Sequence, residues 1–172
     1  TYACGRCHNC RVGLETTCTN TTSGGFSVDG GYAEYAKVPA RNLVELPREV
    51  SFEDGATLTC GGATVYHAIK AAPVLFYETV AIYGFGGLGT IALQVAKLTG
   101  ATTLVVDIAE DKLALARQLG ADGVINASKE DVVKEAKALA GGLGPHKVLD
   151  LVSAPETLEN SIRMLRRGGR VI

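Results

Sequence analysis

The chain has 172 residues, is 47% hydrophobic and 20% charged, and carries a formal net charge of -1. That composition belongs to a folding polypeptide of one domain, or one domain with a small appendage, and argues against disorder. Near-neutral charge removes the electrostatic reason to expect nucleic acid or a membrane surface as partner, and no apolar run reaches the roughly 18 residues of a membrane span.

The N-terminus reads Thr1-Tyr2-Ala3-Cys4-Gly5, with neither an initiator Met nor the apolar stretch of a signal peptide. A cytoplasmic protein is therefore expected. Four of the five cysteines fall within the first 18 residues, as Cys4-x2-Cys7-x2-Cys10-x7-Cys18. Such short spacings let one loop wrap a tetrahedral ion, and four thiolates suit zinc while leaving no position open for substrate. The implied site is structural. An iron–sulfur cluster competes, but its run would continue with x3-C-P, and here the fourth cysteine follows seven residues later. Disulfides are the third option, disfavoured without a secretory signal. Arg6 and Arg11 sit in or beside the loop and are candidates to offset the net negative charge of a four-thiolate zinc centre. His8, with the shell already filled, is expected in solvent.

After Gly30-Gly31, a turn, Tyr32–Val38 and Asn42–Leu46 have strand-like composition and suit a small β domain. From Ser51 the pattern becomes helical, with Ser51 at the N-cap and Asp54 in the capping-box position. From Thr79 strand and helix alternate. Strands are expected at Thr79–Tyr83, Thr103–Asp107, Gly123–Asn126, Lys147–Val152 and from Gly169 onward. The helices between them are expected at Leu88–Leu98, Lys112–Leu119 (closed by Gly120), Glu130–Leu139 and Pro155–Leu165. Repeated βαβ units of this length imply a parallel α/β sheet with right-handed crossovers.

Gly84-Phe85-Gly86-Gly87-Leu88-Gly89 fits G-x-G-x-x-G. With 21 glycines in the chain the pattern alone is weak, but it follows a strand and opens a helix, as a dinucleotide fingerprint must. Gly84 suits the tight turn, Gly86 a close approach to pyrophosphate, and Gly89 tight helix–strand packing. The plain alternative is a glycine-rich turn with no ligand. Asp107 ends the next strand, 18 residues after Gly89. There a carboxylate accepts hydrogen bonds from the adenosine ribose and repels a 2′-phosphate, which favours NAD over NADP. Its plain alternative is a helix N-cap. For Cys60, composition alone suggests a small buried side chain.

Taken together, the cysteine run, Gly30-Gly31-Tyr32-Ala33-Glu34-Tyr35, the lone Cys60 before a helix and the glycine fingerprint resemble the zinc-containing alcohol dehydrogenases of the medium-chain dehydrogenase/reductase superfamily. The resemblance covers essentially the whole chain. It implies part of a GroES-like catalytic domain with a structural zinc lobe over residues 1–57, and part of an NAD-binding Rossmann domain, a doubly wound parallel sheet, over residues 58–172. It also implies that Cys60 is a ligand of catalytic zinc and that Thr64 meets the nicotinamide ring. The turn comprising Gly84, Gly86, Gly87, Leu88 and Gly89 would hold the pyrophosphate, with Leu88 behind the nicotinamide, and Lys112 would lie near the adenosine ribose. Ser153 departs from the family, where Gly often follows the fourth strand.

The family further implies hydride transfer between a zinc-bound alcohol and NAD, small alcohols or carbonyl compounds as substrates, and a homodimer or homotetramer. Its members are about twice as long, so the chain is expected to be a fragment. The expectation is that it lacks a Gly-His-Glu zinc motif and a sixth strand, and is inactive alone. Polyol and L-threonine dehydrogenases share the same motifs. A non-catalytic zinc- and nucleotide-binding module is the alternative of another class, and Cys60 argues against it.

Overall fold

The computed structural model describes residues 1–172, which form two compact units, Thr1–Val50 and Ser51–Ile172. The second unit begins at Ser51, where the helix over Phe52–Thr57 packs with the turn that continues it.

The first unit holds little regular structure. A four-residue helix α1 (His8–Arg11) and two 3-10 turns, Glu15–Thr17 and Ala40–Asn42, are joined by isolated bridges pairing Tyr2 with Thr22 and Gly24 with Val28. Its buried centre is Ala3, Cys10 and Cys18, with Cys4 and Cys7 packed against them. The strands expected over Tyr32–Val38 and Asn42–Leu46 do not form. The backbone is locally extended, as at Leu43 (φ -87°, ψ 143°). A strand, however, exists only as half of a hydrogen-bonded pair, and within this unit neither segment meets one. Tyr32, Tyr35 and Val44 are accordingly exposed.

In the second unit Ser51 Oγ accepts the Asp54 N–H at 3.1 Å and donates to Asp54 Oδ2 at 2.8 Å, starting α2 (Phe52–Thr57). A π-helical turn over Leu58–Gly62 leads into α3 (Ala63–Ala71). Five parallel strands follow: β1 (Thr79–Tyr83), β2 (Thr102–Asp107), β3 (Gly123–Asn126), β4 (Lys147–Asp150) and β5 (Arg170–Val171). The connecting helices are α4 (Gly87–Leu98), α5 (Glu110–Gln118), α6 (Val132–Leu139) and α7 (Pro155–Met164). β4 is shorter than expected, because the chain turns away after Asp150.

The sheet order is β3-β2-β1-β4-β5, with Ala81 beside both Leu104 and Val148. Strand alternation divides the core in two. Val80 and Ile82 pack with Val65, Leu93 and Leu113 from α3, α4 and α5. Ala81 and Tyr83 pack with Val132, Ala136 and Met164 from α6 and α7. Helices thus cover both faces, the doubly wound arrangement. Each fully buried aliphatic side chain, such as Ile82 or Leu149, contributes roughly 1.5–3 kcal/mol before the cost of ordering the chain. At the N-terminal ends of the strands Lys147 and Glu78 form a buried ion pair, and His146 Nδ1 accepts the Thr79 N–H at 3.0 Å. At the opposite ends the chain leaves β1 for β2 on one side and returns to β4 on the other. That reversal opens the crevice in which such sheets bind ligands.

Candidate functional site

The crevice is lined by the glycine turn. Gly84 has φ +93°, a left-handed conformation that favours glycine, and its N–H donates to Val106 O at 2.8 Å. A Cβ on Gly89 would stand 2.2 Å from Gly84 O, so only glycine lets α4 approach the turn. A Cβ on Gly86 or Gly87 would meet nothing within 4 Å. The two pairs of glycines therefore differ in kind: Gly84 and Gly89 are required by the turn's own packing, while Gly86 and Gly87 present a bare backbone to open space. No side chain caps the first turn of α4, which leaves its amides and partial positive charge free for an anion.

Asp107 closes one side. It is 7% exposed. Its Oδ2 accepts the Phe85 N–H at 2.7 Å and its Oδ1 the Ala109 N–H at 3.0 Å, and Lys112 Nζ lies 3.8 Å from Oδ2. The carboxylate therefore ties the glycine turn to the end of β2 and to the start of α5. It does not occupy the N-cap position, which is Ala109. Each oxygen retains acceptor capacity. A cavity of about 600 Å³ joins the glycine turn, Asp107, Ile108 and Lys112 on the β2 side to Val152 and Glu156 on the β4 side. Size, bare backbone and buried carboxylate fit a dinucleotide.

Leu88 reaches this cavity and also touches the π-helical turn, where a Cβ on Gly61 would lie 3.7 Å from Leu88 Cδ2 and 2.9 Å from Ile91 Cδ1. Cys60 and Thr64 are not among the cavity's lining residues; both are exposed. The burial that composition suggests for Cys60 is thus corrected. The π turn was not anticipated, although Gly61-Gly62 directly after Cys60 is the kind of sequence that admits one. Such turns recur at functional sites. Ser153 adopts φ +58°, which gives a physical reason for Gly at that place in the family.

In the first unit the sulfur atoms of Cys4, Cys7, Cys10 and Cys18 all lie within 4.8 Å of one another. Cys7 Sγ is 3.4 Å from Cys10 Sγ and 3.9 Å from Cys18 Sγ. A tetrahedral zinc with Zn–S bonds of about 2.3 Å would set sulfurs about 3.8 Å apart, so the donor set fits. Backbone N–H groups face the sulfurs: Cys4 N–H donates to Cys18 Sγ at 3.2 Å, Cys7 N–H to Cys4 Sγ at 3.3 Å and Asn20 N–H to Cys18 Sγ at 3.4 Å. Amides from Cys10 and Thr19 bring the Cys7 thiol down to about 5, and the Arg6 amide lowers Cys4. Burial, with the neighbouring Cys7 sulfur, pushes Cys10 up to about 12. Four sulfurs gathered this closely can all ionise only around a cation, and a dication would supply that charge.

The Arg6 and Arg11 side chains make no hydrogen bond to the sulfurs. Both are exposed, because the loop turns its sulfurs inward and its intervening side chains outward. The arginine that braces the loop is Arg41, whose Nη2 donates to Ala3 O at 2.5 Å and whose guanidinium lies over Gly5. Nothing in the sequence near the cysteines signals it. His8 is exposed.

Comparison with known proteins bears on both units. Residues 87–172 match the family described as zinc-binding dehydrogenase, and residues 1–48 match the alcohol dehydrogenase GroES-like domain. The chain is 41% identical over 170 residues to an alcohol dehydrogenase of Geobacillus stearothermophilus, covering 99% of this chain and 50% of that protein. It is 39% identical to an NAD-dependent alcohol dehydrogenase of Sulfurisphaera tokodaii, covering 98% and 49%. The crystal structure of the alcohol dehydrogenase from Aeropyrum pernix superimposes with a TM-score of 0.90 at 36% identity, over 99% of this chain and 51% of that one. The chain thus spans about half the length of the curated relatives it matches.

Proposed function

The chain belongs to the zinc-binding dehydrogenase family, and on that premise we propose that the whole protein is a zinc- and NAD-dependent alcohol dehydrogenase, interconverting small alcohols with aldehydes or ketones. The observation that carries the reading is the joining, in one cavity, of the bare Gly86–Gly87 backbone with the buried carboxylate of Asp107. In this reading the N-terminal unit is part of a GroES-like catalytic domain and the second unit the NAD-binding domain. The protein is cytoplasmic and homo-oligomeric.

The chain's own residues take these roles. The Gly84–Gly89 turn offers uncapped helix amides to the pyrophosphate. Asp107 accepts hydrogen bonds from the adenosine ribose and repels a 2′-phosphate, and Lys112 stands beside that ribose. Leu88 and Thr64 limit where the nicotinamide ring lies. Cys4, Cys7, Cys10 and Cys18 would hold a structural zinc, and Cys60 would contribute one ligand to a catalytic one. When bound, catalytic zinc supplies Lewis acidity and the nicotinamide a hydride acceptor. Catalytic zinc takes three protein ligands, and Cys60 is one, so the 172-residue chain by itself is expected to turn over no alcohol.

The test is cofactor choice in the whole protein. Its kcat/KM with an alcohol panel should be much higher with NAD than with NADP, and Asp107→Ser should narrow the gap by relieving charge repulsion worth several kcal/mol. Equal use of both cofactors by the unmodified enzyme would refute the assignment of Asp107.

A further inference from the structure

We propose that Asp150, at the C-terminal end of β4, is a positioning residue for the nicotinamide half of the dinucleotide, a role that rests on the cofactor reading above. Asp150 does not line the cavity. It acts through the loop between β4 and α7. Its Oδ1 accepts the N–H of Val152 at 3.1 Å and of Ser153 at 3.0 Å. Its Oδ2 accepts the Thr157 hydroxyl at 3.0 Å, and Thr157 Oγ1 in turn accepts the Ala154 N–H at 3.1 Å. One carboxylate thus closes the loop from both ends.

The loop holds a backbone conformation that L residues disfavour. Ser153, at φ +58°, is the one non-glycine residue of the chain with positive φ. An L side chain disfavours that region. Hydrogen bonds to an ionised carboxylate are stronger than neutral ones and offset the cost. What the clamp sets is the place of Val152, whose Cγ2 would come within 2.6 Å of a Cβ on Gly84. Val152 is therefore seated against the turn that the pyrophosphate must cross.

The sheet order gives the direction. Asp107 lies on the β2 side of β1, and Val152 follows β4 on the other side. A dinucleotide with its adenosine ribose at Asp107 runs across the glycine turn toward Val152. The adenosine half has no need of the Asp150 clamp; the other half meets the loop that the clamp holds. Removing the clamp should therefore weaken NAD and spare AMP, a split that a general loss of stability would not produce.

The experiment measures AMP and NAD affinity of the whole protein and of three variants. Asp150→Ala should bind NAD about tenfold more weakly with AMP affinity unchanged. Asp150→Asn, which keeps the Oδ1 acceptor, should recover most of the loss. Ser153→Val leaves the carboxylate in place but puts a β-branched residue in the left-handed region, and should reproduce the selective NAD loss. It carries the test alone if Asp150→Ala does not fold. Unchanged NAD affinity in the folded variants overturns the proposal, as does a parallel loss of AMP binding. An unmodified protein that binds neither ligand overturns the cofactor reading, and the proposal with it.

Discussion

The two units solve the problem of holding a chain in place by different physics. Ser51–Ile172 buries alternate faces of a parallel sheet under helices, so its stability is spread over many aliphatic contacts. Thr1–Val50 buries three residues, two of them cysteines, and its regular structure amounts to one helical turn, two 3-10 turns and two bridges. Apolar burial of that extent cannot offset the entropy of ordering fifty residues. The first unit instead concentrates its tertiary contact in four sulfurs. A distributed core tolerates the loss of any one contact; a single cluster does not.

The largest expected effect breaks the comparison at that cluster. Structural zinc contributes about 10–16 kcal/mol of apparent binding energy in small peptides at neutral pH. Chelation under reducing conditions should therefore disorder residues 1–50 while the sheet of the second unit persists. Limited proteolysis with and without chelator checks it: cuts should gather before Val50. Cleavage spread evenly through both units, or none in the first, would show that the sulfurs do not hold the lobe. In the other direction, Ile82→Ala should cost the second unit about 2–5 kcal/mol in urea unfolding and leave the zinc content of the protein unchanged.

A smaller and sharper effect separates glycines that serve the fold from glycines that serve a ligand. Gly89→Ala puts a methyl 2.2 Å from a backbone oxygen and should lower stability. Gly86→Ala puts one into open space and should leave stability nearly unchanged while NAD affinity falls. Thermal melts and NAD titrations of both variants read the two effects independently. Equal NAD affinity for Gly86→Ala and the unmodified protein would remove the turn from the binding site.

The sequence made the second unit legible because its signals are local. Apolar runs, a capping Ser51 and glycines at turn positions place each element within a few residues, and the βαβ order implies the sheet. The first unit was less legible because its determinants are relations between distant segments. Tyr32–Val38 has strand composition, but pairing is not written in one segment's composition. Arg41 braces the Cys4–Cys18 loop from a distant part of the chain, with no motif to connect them. Cys60 lies in a π turn between α2 and α3, which breaks the 3.6-residue period, so its exposure cannot be read from helical spacing.

The smallest expected effect lies at the closed end of the sheet. His146 Nδ1 accepts the Thr79 N–H, which an imidazolium cannot do. Burial, then Arg166 and Lys147, lower its affinity for a proton, and Glu78 opposes them without prevailing. The Arg166 guanidinium reaches 2.5 Å from Nε2, and the Tyr77 ring stands edge-on at a centroid distance of 6.3 Å. A histidine held below its unfolded value of 6.5 stabilises the fold fully above that pH and loses the contribution as the pH falls through the folded value. For Glu78, burial alone would raise the carboxyl, but the hydrogen bond from Lys147 leads a net lowering below 4.5. Its contribution has the same sign and is lost at more acid pH, so the two windows separate. Urea unfolding of the unmodified protein should thus show lower stability at about pH 5.5 than at about pH 7.5. His146→Gln keeps an acceptor for Thr79 N–H without a titrating group and should flatten that difference. His8 and His67, both exposed, serve as controls, and an unchanged pH slope in His146→Gln would assign the acid sensitivity elsewhere.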